Sequence, residues 1–302
     1  MKKILSLLLV ACMFSSFMLV LCSCKKNEQP KEELKTIYLP VKAVLNSAKG
    51  EYSIVAELGE NNLYSKITAM GLGYLHSTTE MVYDSNCNAI KNTNTDFDGN
   101  VVVSENTYDS QGRVVKTVIV FNNGESTAIY ESKYDEHGNV VEQLLTTSDD
   151  SWSKEEYTYD SKGNMTKIIV TYDDGSRSEV NYTYTYDSHE NLSEKTAIYD
   201  YLTYHYSYIY DSNGNAIKVV YTETYAYNNQ TEETTFDITY DSNGNIIKIV
   251  STNNSNEVNT YIFEYKKVTV PQNVKIDTNV EVESWYSSLN SMEPIVGEGV
   301  TP

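Results

Sequence analysis

One hexapeptide pattern recurs along the chain and limits what it can fold into. Tyr-Asp-x-x-Gly-Asn, or a close variant, begins at seven tyrosines that follow one another at intervals of 24 to 30 residues. These tyrosines are Tyr83, Tyr108, Tyr134, Tyr159, Tyr186, Tyr210 and Tyr240. A recurrence of this period is typical of repeat proteins, in which each unit packs on its neighbours. The sequence therefore predicts an array of similar units.

The residues on either side of the pattern predict a β-hairpin in each unit. Before the motif tyrosine, aromatic and polar residues alternate, as in the segment 204–210. A period of two is typical of a strand with one packed face and one wet face. Eight residues after each motif tyrosine stands a charged residue: Lys91, Lys116, Glu142, Lys167, Glu194, Lys218 and Lys248. This charged position, which recurs in every unit, supports the alignment of the units.

The motif itself predicts a tight turn. Its Asp can accept a backbone N–H two residues later, and its Gly can take the positive φ that closes a bulged hairpin. The predicted turn residues are Asp109, Gly112, Asp135, Gly138, Asp160, Gly163, Asp211, Gly214, Asp241 and Gly244. Cys87 and Glu190 replace the Gly in two units. We expect those turns to be strained, to place Asn86 or Asn191 at positive φ, or to be built differently.

The predicted fold is all-β, an antiparallel meander of hairpins over residues 36–270. Degenerate units near Leu58 and Tyr265 are predicted to cap the two ends of the array. Two strands per unit give about 14 to 18 strands, and open twisted sheets rarely pass about 10 strands without curling. We therefore expect a wide sheet that is curled or spiralling.

The motif resembles the YD repeats of RHS-type bacterial surface and toxin-associated proteins. The similarity rests on Tyr-Asp-x-x-Gly-Asn followed by aliphatic residues, between about Leu58 and Tyr265. It implies hairpins that spiral into a shell, and it implies carbohydrate binding. No segment resembles the conserved end of the RHS core or a toxin domain, so the toxin-cage function is not implied. A looser similarity to choline- and glucan-binding wall repeats is weakened by the presence of only 2 Trp.

The N-terminus predicts export and lipidation. Residues 1–23 have a basic start and an apolar run, which is typical of a signal peptide. The sequence Leu21-Cys22-Ser23-Cys24 resembles the lipoprotein box of bacteria, which implies a lipid anchor on Cys24 and an extracytoplasmic, membrane-anchored location at the bacterial cell surface. Plain secretion and a retained anchor are the alternatives. Residues 24–35 are predicted to form a flexible stalk, and residues 271–302 a partly disordered tail.

Charge and motifs exclude several classes of function. The sequence contains 42 acidic and 23 basic residues, a net charge of −19. Such a chain is a poor partner for nucleic acid, whose phosphates bind Lys and Arg. Gly-x-Ser-x-Gly, His-Glu-x-x-His and the phosphate loop are all missing from the sequence. We therefore expect no enzymatic activity and no cofactor.

One segment has the spacing of a calcium-binding loop. Asn94, Asp96, Asp98, Gly99 and Glu105 match the liganding pattern of that loop, except that Asn replaces the first Asp. The alternative is a hairpin turn, which the array needs here and which the valines at 101–103 favour. Asp96, Asp98 and Glu105 are therefore the metal candidates, and the hairpin turn is the preferred interpretation.

The excess of tyrosine is the main indication of function. The chain has 27 Tyr and 6 Phe, although a buried Tyr hydroxyl needs a hydrogen-bond partner and Phe does not. The tyrosines therefore serve cross-strand packing, a platform for sugar rings or a protein partner, or both. The densest group, and the predicted platform, is Tyr182, Tyr184, Tyr204, Tyr206 and Tyr208.

These features predict a non-catalytic, lipid-anchored binding or adhesion module for a glycan, a cell-wall polymer or a protein. A structural spacer or a subunit of a surface assembly is the alternative. An enzyme acting on carbohydrate and a Ca²⁺-binding protein are less favoured.

Overall fold

The computed structural model describes residues 34–271 and Val274. The predicted signal peptide, Cys24, the stalk up to residue 33 and nearly all of the predicted tail lie outside the described residues. Within the described range, eighteen strands follow one another, with a single 3₁₀ turn at Asn122–Gly124. The strands are β1 (Leu34–Ser47), β2 (Gly50–Leu58), β3 (Tyr64–Gly71), β4 (Tyr74–Tyr83), β5 (Ala89–Asp96), β6 (Val101–Tyr108), β7 (Val114–Phe121), β8 (Ser126–Tyr134), β9 (Val140–Thr147), β10 (Trp152–Tyr159), β11 (Met165–Tyr172), β12 (Arg177–Tyr186), β13 (Leu192–Ile198), β14 (Leu202–Tyr210), β15 (Ala216–Tyr225), β16 (Thr231–Tyr240), β17 (Ile246–Asn253) and β18 (Val258–Pro271).

The strands form one antiparallel sheet that closes on itself. Each strand pairs with the strand before it and the strand after it, and β1 pairs with β18 from Leu34↔Pro271 to Asn46↔Thr260. The predicted all-β meander of hairpins is confirmed. The prediction of a wide curled or spiralling sheet is wrong, because the first and last strands hydrogen-bond to each other and close an eighteen-stranded barrel.

The degenerate units near Leu58 and Tyr265 do not cap the ends of an array. Leu58 ends β2, which pairs with both β1 and β3, and Tyr265 lies in β18, which pairs with both β17 and β1. The two units have ordinary neighbours on both sides. Closure satisfies the backbone groups that a free edge would expose, so the array needs no capping unit.

The cross-strand register separates an inner and an outer face of the barrel. Leu45 and Tyr261 are partners in the seam and are 0% exposed. Following partners from Tyr261 through β17, β16 and β15 leads to Tyr208 and Tyr206 on the same face. Side chains on the concave face of a barrel converge, so this tyrosine-rich face is the inner one.

The inner face is dry in one sector of the barrel and wet in another. Around the seam a buried core joins β1, β2, β3, β17 and β18, and it includes Ala43, Ile54, Ile67, Ile249 and Phe263. A smaller buried cluster contains Ile119, Phe121, Ala128 and Leu145. From β12 to β15 most inner side chains are only half-buried, so water reaches this part of the inner wall.

The outer face carries charges at mid-strand. Four lysines form ion pairs with glutamates that are their register partners on the next strand, with Nζ to carboxylate oxygen distances of 2.7 to 3.2 Å. The pairs are Lys42–Glu264, Lys91–Glu105, Lys116–Glu131 and Lys133–Glu142. Each such exposed ion pair adds at most about 1 kcal/mol to the free energy of unfolding. No helix in the described part of the chain is long and apolar enough to cross a lipid bilayer.

All turns that carry the YD motif lie at one end of the barrel, called here the YD end, because each joins an even-numbered strand to the next odd one. The other turns lie at the opposite end, called here the far end.

β1 begins and β18 finishes at the YD end, where both extend past their neighbours. Val268 and Val270 in this extension are nearly inaccessible and belong to the main core. The Tyr64 hydroxyl donates to the Pro40 carbonyl at 2.8 Å, so the extension packs against the β2–β3 turn.

The motif Asp satisfies most of the polar groups of the YD turn. Asp211 Oδ1 accepts the N–H groups of Asn213 and Asn215 at 2.8 and 2.9 Å, and its Oδ2 accepts the Asn215 amide at 3.0 Å. The Gly214 N–H donates to the Asp211 carbonyl at 3.1 Å. The same bonds surround Asp135, Asp160, Asp187 and Asp241. In the turn of Asp109, the Arg113 guanidinium replaces the Asn amide at 2.7 Å.

The glycine position of the turn requires positive φ in every unit. Its φ is between +77° and +91° at Gly112, Gly138, Gly163, Gly214 and Gly244. Cys87 and Glu190 each adopt φ of +65°. The neighbours Asn86 and Asn191 do not take over the positive φ, so these two turns have the ordinary geometry with a strained residue.

The motif tyrosine joins each unit to the preceding one. Its hydroxyl donates to the carbonyl of the residue six positions after the preceding motif tyrosine, at 2.6 to 2.9 Å. The bonds are Tyr108 to Ala89, Tyr134 to Val114, Tyr159 to Val140, Tyr210 to Leu192, Tyr240 to Ala216 and Tyr265 to Ile246. Two motif tyrosines differ. In the unit of Tyr186, Tyr184 makes this bond to Met165 at 2.7 Å and Tyr186 instead accepts the Asn164 amide, while the Tyr83 hydroxyl donates to Met81 Sδ at 3.4 Å. Phe could not replace Tyr at this position without loss of the bond.

We predict that Tyr210→Phe destabilises the barrel. The substitution keeps the ring but leaves the Leu192 carbonyl without its phenol donor, which costs about 1 kcal/mol. Urea unfolding followed by circular dichroism measures the change. Tyr227→Phe, on a ring that is 77% exposed, is the control and should leave the midpoint unchanged. Equal effects of the two substitutions would contradict a structural role for the motif hydroxyl.

We predict that Glu190→Gly stabilises the protein. Glycine removes the strain of a left-handed backbone at φ +65°. Glycine also adds conformational entropy to the unfolded chain, and the net gain in the free energy of unfolding is about 0.5–1 kcal/mol. Thermal unfolding should show a higher midpoint. Ser188→Gly in the same turn is the control, and there glycine should only lower stability. A lower midpoint for Glu190→Gly would rule out strain at this position.

We predict that stability falls in acid because of the YD turns. The Asn amide, and then backbone N–H groups, hold the pKa of four aspartates below the ordinary range: Asp135, Asp160, Asp187 and Asp211. A pKa that is lower in the folded state contributes stability above the unfolded value of about 3.9. This contribution is lost as pH falls through the folded pKa. Urea unfolding should therefore show a falling free energy below about pH 4.

A fourfold Asp→Asn variant tests the source of this acid sensitivity. Substitution of the four turn aspartates should flatten the dependence of unfolding free energy on pH. The matched control replaces four exposed aspartates outside the YD turns: Asp98, Asp150, Asp173 and Asp200. Identical pH profiles for the two variants would show that the turns are not responsible.

Candidate binding site: a tyrosine cluster on the inner wall

The five tyrosines of the predicted platform lie on two strands of the inner wall. Tyr182 and Tyr184 belong to β12, and Tyr204, Tyr206 and Tyr208 belong to β14. The intervening strand β13 holds them in register, since Lys195 pairs with both Tyr184 and Tyr206. All five rings are half-buried. The platform therefore faces the barrel interior and not the outer surface.

Two tyrosines outside the predicted set complete the site. Tyr221 on β15 is the register partner of Tyr206, and their ring centroids are 5.1 Å apart. Tyr204 lies between Tyr221, at 5.7 Å in a stacked arrangement, and Tyr199, at 5.4 Å edge to face. Separations of this size are typical of favourable aromatic pairs. We call Tyr182, Tyr199, Tyr204, Tyr206 and Tyr221 the tyrosine cluster.

One cation and one carboxylate adjoin the tyrosine cluster. Lys195 Nζ lies 5.5 Å from the centroid of the Tyr182 ring and 5.9 Å from that of the Tyr206 ring, within the range of cation–π attraction. The Tyr221 hydroxyl donates to Glu223 Oε2 at 3.1 Å.

The pKa of two phenols of the cluster, those of Tyr182 and Tyr221, lies far above the ordinary value. Burial, and then interaction with Tyr199, raises the pKa of Tyr182 far above its ordinary value. Burial raises the pKa of Tyr221 as well, and the Glu223 carboxylate raises it further. A hydrogen bond to Glu223 raises the pKa of Tyr225, at the far end of β15, to about 12. These hydroxyls are therefore neutral hydrogen-bond donors at physiological pH.

The predicted platform divides into two kinds of tyrosine. Tyr184 is committed to the bond with the Met165 carbonyl, and Tyr208 packs against the motif tyrosine Tyr210 at 6.5 Å. Tyr182, Tyr204 and Tyr206 remain in the cluster. Sequence reasoning missed Tyr221 and Glu223, although folding the hairpin about its YD turn places them opposite Tyr206 and Tyr204.

The arrangement suits a neutral ligand that has both apolar faces and hydroxyl groups. Aromatic rings offer flat apolar contact, while phenol hydroxyls, an ammonium and a carboxylate offer donors and acceptors. Concave sites with a few polar groups among aromatic walls are typical of ligand-binding sites. A sugar ring has this combination of surfaces.

The structure does not bring the predicted calcium ligands together. Asp96 accepts the N–H groups of Asp98 and Asn100 at 3.0 and 2.9 Å, which is the geometry of the YD turn. Glu105 is on β6 opposite Lys91 and forms an ion pair with it at 3.1 Å. Four residues of strand, about 13 Å, separate Glu105 from the first residue of β6. The segment is a hairpin turn, and the three carboxylates do not converge.

Among residues 34–271 and Val274, no group of three or more His, Cys, Asp or Glu side chains is placed to hold a metal ion. The predicted lipidation site Cys24 lies outside the described residues, so the lipid anchor stays a prediction.

The chain resembles several solved structures only at low identity. No protein-family model and no curated protein sequence matches it. The TcdB2-TccC3-Cdc42 structure is similar over 70% of this chain, with 16% identity and a TM-score of 0.34. This chain spans only 12% of that one.

Two porin-like proteins are similar over most of their own length. The one from Bacteroides uniformis has 11% identity and a TM-score of 0.42, over 75% of this chain and 96% of that one. The one from Bacteroides vulgatus has 12% identity and a TM-score of 0.40, over 76% of this chain and 99% of that one. TM-scores below 0.5 are too low to transfer an activity.

Proposed function

We propose that this protein is a non-catalytic, glycan-binding protein of the bacterial cell surface, anchored through a lipid on Cys24. The observation that carries the proposal is the tyrosine cluster, whose half-buried rings are reached by water on the inner wall of the barrel. The lipid anchor rests on the sequence Leu21-Cys22-Ser23-Cys24.

The energetics of the site favour a ligand over a purely structural role for these rings. The motif tyrosines donate to backbone carbonyls, and the seam tyrosines Tyr52 and Tyr261 are almost completely buried. The rings of the cluster lack that burial, so packing alone uses only part of their apolar surface. A sugar face that covers the remaining apolar surface would contribute about 25 cal/mol of binding free energy per Å² buried.

The second candidate function is an enzyme acting on carbohydrate, which one observation favours. Glu223 is the register partner of Glu232 on β16, which places two carboxyl groups side by side near the cluster. Glycosidases use carboxyl pairs separated by about 5 to 9.5 Å. The Tyr221 hydroxyl already donates to Glu223, which favours a fixed acceptor for ligand hydroxyls. Glu223→Gln separates the two functions.

The proposal is tested by binding of the purified full chain to a panel of neutral glycans on an array and by calorimetry. Tyr206→Ala removes a central ring, so we expect its Kd to rise about tenfold, which corresponds to about 1.4 kcal/mol. Ile209→Ala changes the outer face of the same strand and should bind like the wild type. Both variants are first compared by thermal unfolding.

Three outcomes are informative. Absence of binding to any neutral glycan would contradict the proposal and favour the structural spacer. Binding without change in Tyr206→Ala would move the site elsewhere in the protein. Release of reducing sugar by the wild type, abolished by Glu223→Gln, would show an enzyme.

A further inference from the structure

The exposed aromatic side chains lie at one end of the barrel. Among the residues that the structure describes, the Phe, Trp and Tyr side chains classed as exposed have between 37% and 77% of their surface accessible. We call them the aromatic rim: Tyr74, Phe97, Trp152, Tyr172, Tyr201 and Tyr227. Each is in a far-end turn or is the strand residue next to one. The turns that carry the YD motif, in contrast, contain polar residues, Gly and one Cys, and no Phe, Trp or Tyr.

Backbone hydrogen bonds group the rim residues in pairs on neighbouring strands. The Phe97 N–H donates to the His76 carbonyl, two residues from Tyr74, at 3.0 Å. The Asp173 N–H, next to Tyr172, donates to the Trp152 carbonyl at 3.0 Å. Such pairs are separate platforms around the barrel end and do not form one continuous apolar patch.

A third pair connects the rim with the tyrosine cluster. The Ala226 N–H donates to the Tyr201 carbonyl at 3.0 Å, which brings Tyr201 beside Tyr227. The Tyr227 ring lies 5.8 Å from the Tyr225 ring. Tyr221 stands four residues before Tyr225 on β15, with Glu223 between them on the same face, and the Tyr221 hydroxyl donates to Glu223 Oε2 at 3.1 Å. The rim and the cluster are therefore linked along β15 through one carboxylate.

Charge limits the partners that the rim can accept. Exposed aspartates stand in the same turns as the aromatic residues: Asp98, Asp149, Asp150, Asp173, Asp174 and Asp200. They repel anionic polymers, nucleic acid and anionic lipid headgroups. Carboxylates beside aromatic rings suit a neutral partner that presents hydroxyl donors. Separate platforms suit an extended chain, whereas a folded protein partner favours a compact central cluster.

The direction of the chain places the rim far from the predicted anchor. Leu34 begins β1 at the YD end, and the ten residues 24–33 reach at most about 35 Å when fully extended. A lipid on Cys24 would therefore attach the barrel through its YD end, and the far end is the end remote from the point of attachment.

We propose that the aromatic rim binds a neutral polysaccharide chain along several platforms, one end of which enters the tyrosine cluster. This inference rests on the proposed glycan-binding function and specifies its ligand as a polymer. Several weak platforms joined by one chain act together, so affinity should increase with chain length by about a hundredfold.

The experiment compares short and long neutral glucan, mannan and galactan chains with the purified full chain. The rim variant is Phe97→Ser, Trp152→Ser and Tyr227→Ser, and the matched control replaces three exposed outer-wall residues, Val55→Ser, Ile209→Ser and Ile262→Ser. We expect the rim variant to bind long chains about tenfold or more weakly while short oligosaccharides bind as before. The control should bind both like the wild type.

The outcomes separate this inference from the proposed function. Short chains that bind without any gain from length, or a rim variant equal to the control, would overturn the polymer site and leave the cluster as the glycan site. Failure of every chain to bind would overturn both. Zwitterionic phosphatidylcholine vesicles are included as well, and their retention by the wild type but not by the rim variant would assign the rim to a lipid surface instead.

Discussion

The structure depends on one repeated hydrogen bond, from the hydroxyl of a motif tyrosine to a backbone carbonyl of the preceding unit. The acceptor always occupies the same place in its unit, as Leu192 does for Tyr210 and Ala216 does for Tyr240. The bond fixes the register between units because a slip of one residue would turn the phenol to the other face. It also explains why Tyr is retained where Phe would be the simpler core residue.

Tyrosine has different roles at different heights in the barrel. Close to the YD turns its hydroxyl is committed to the backbone. Near the middle of β12 to β15, rings such as Tyr204 and Tyr206 are half-buried and contact other rings. At the far end, Tyr201 and Tyr227 are exposed. The molecule is therefore chemically polarised along its axis, because the exposed aromatic side chains of the described residues lie at the far end and the turns with the YD motif contain none.

Local features of the fold could be predicted from the sequence, because the information that specifies them is local. The alternation of aromatic and polar residues predicted the strands, and the Asp and Gly of the motif predicted the turns. Closure could not be predicted, since pairing of Leu45 with Tyr261 leaves no signature in either segment.

Only part of the candidate site could be predicted, again because the sequence pattern carries local information. The density of tyrosine in 204–208 identified the wall of the site, but that pattern does not separate Tyr184, which is bonded to a carbonyl, from Tyr182. Tyr221 required the hairpin register, and the aromatic rim required the exposure of single turn residues such as Phe97, which no periodicity records.

The β1–β18 seam has a consequence for how the chain folds. Hairpins of the repeat form from contacts close in sequence, and these are fast. The seam joins the first strand to the last, and closing so long a loop costs chain entropy that local contacts do not. β1 is synthesised first and must wait for β18, which is synthesised last. During that interval both strands present unpaired edges, so a strand from a second copy can compete for the seam before the barrel closes.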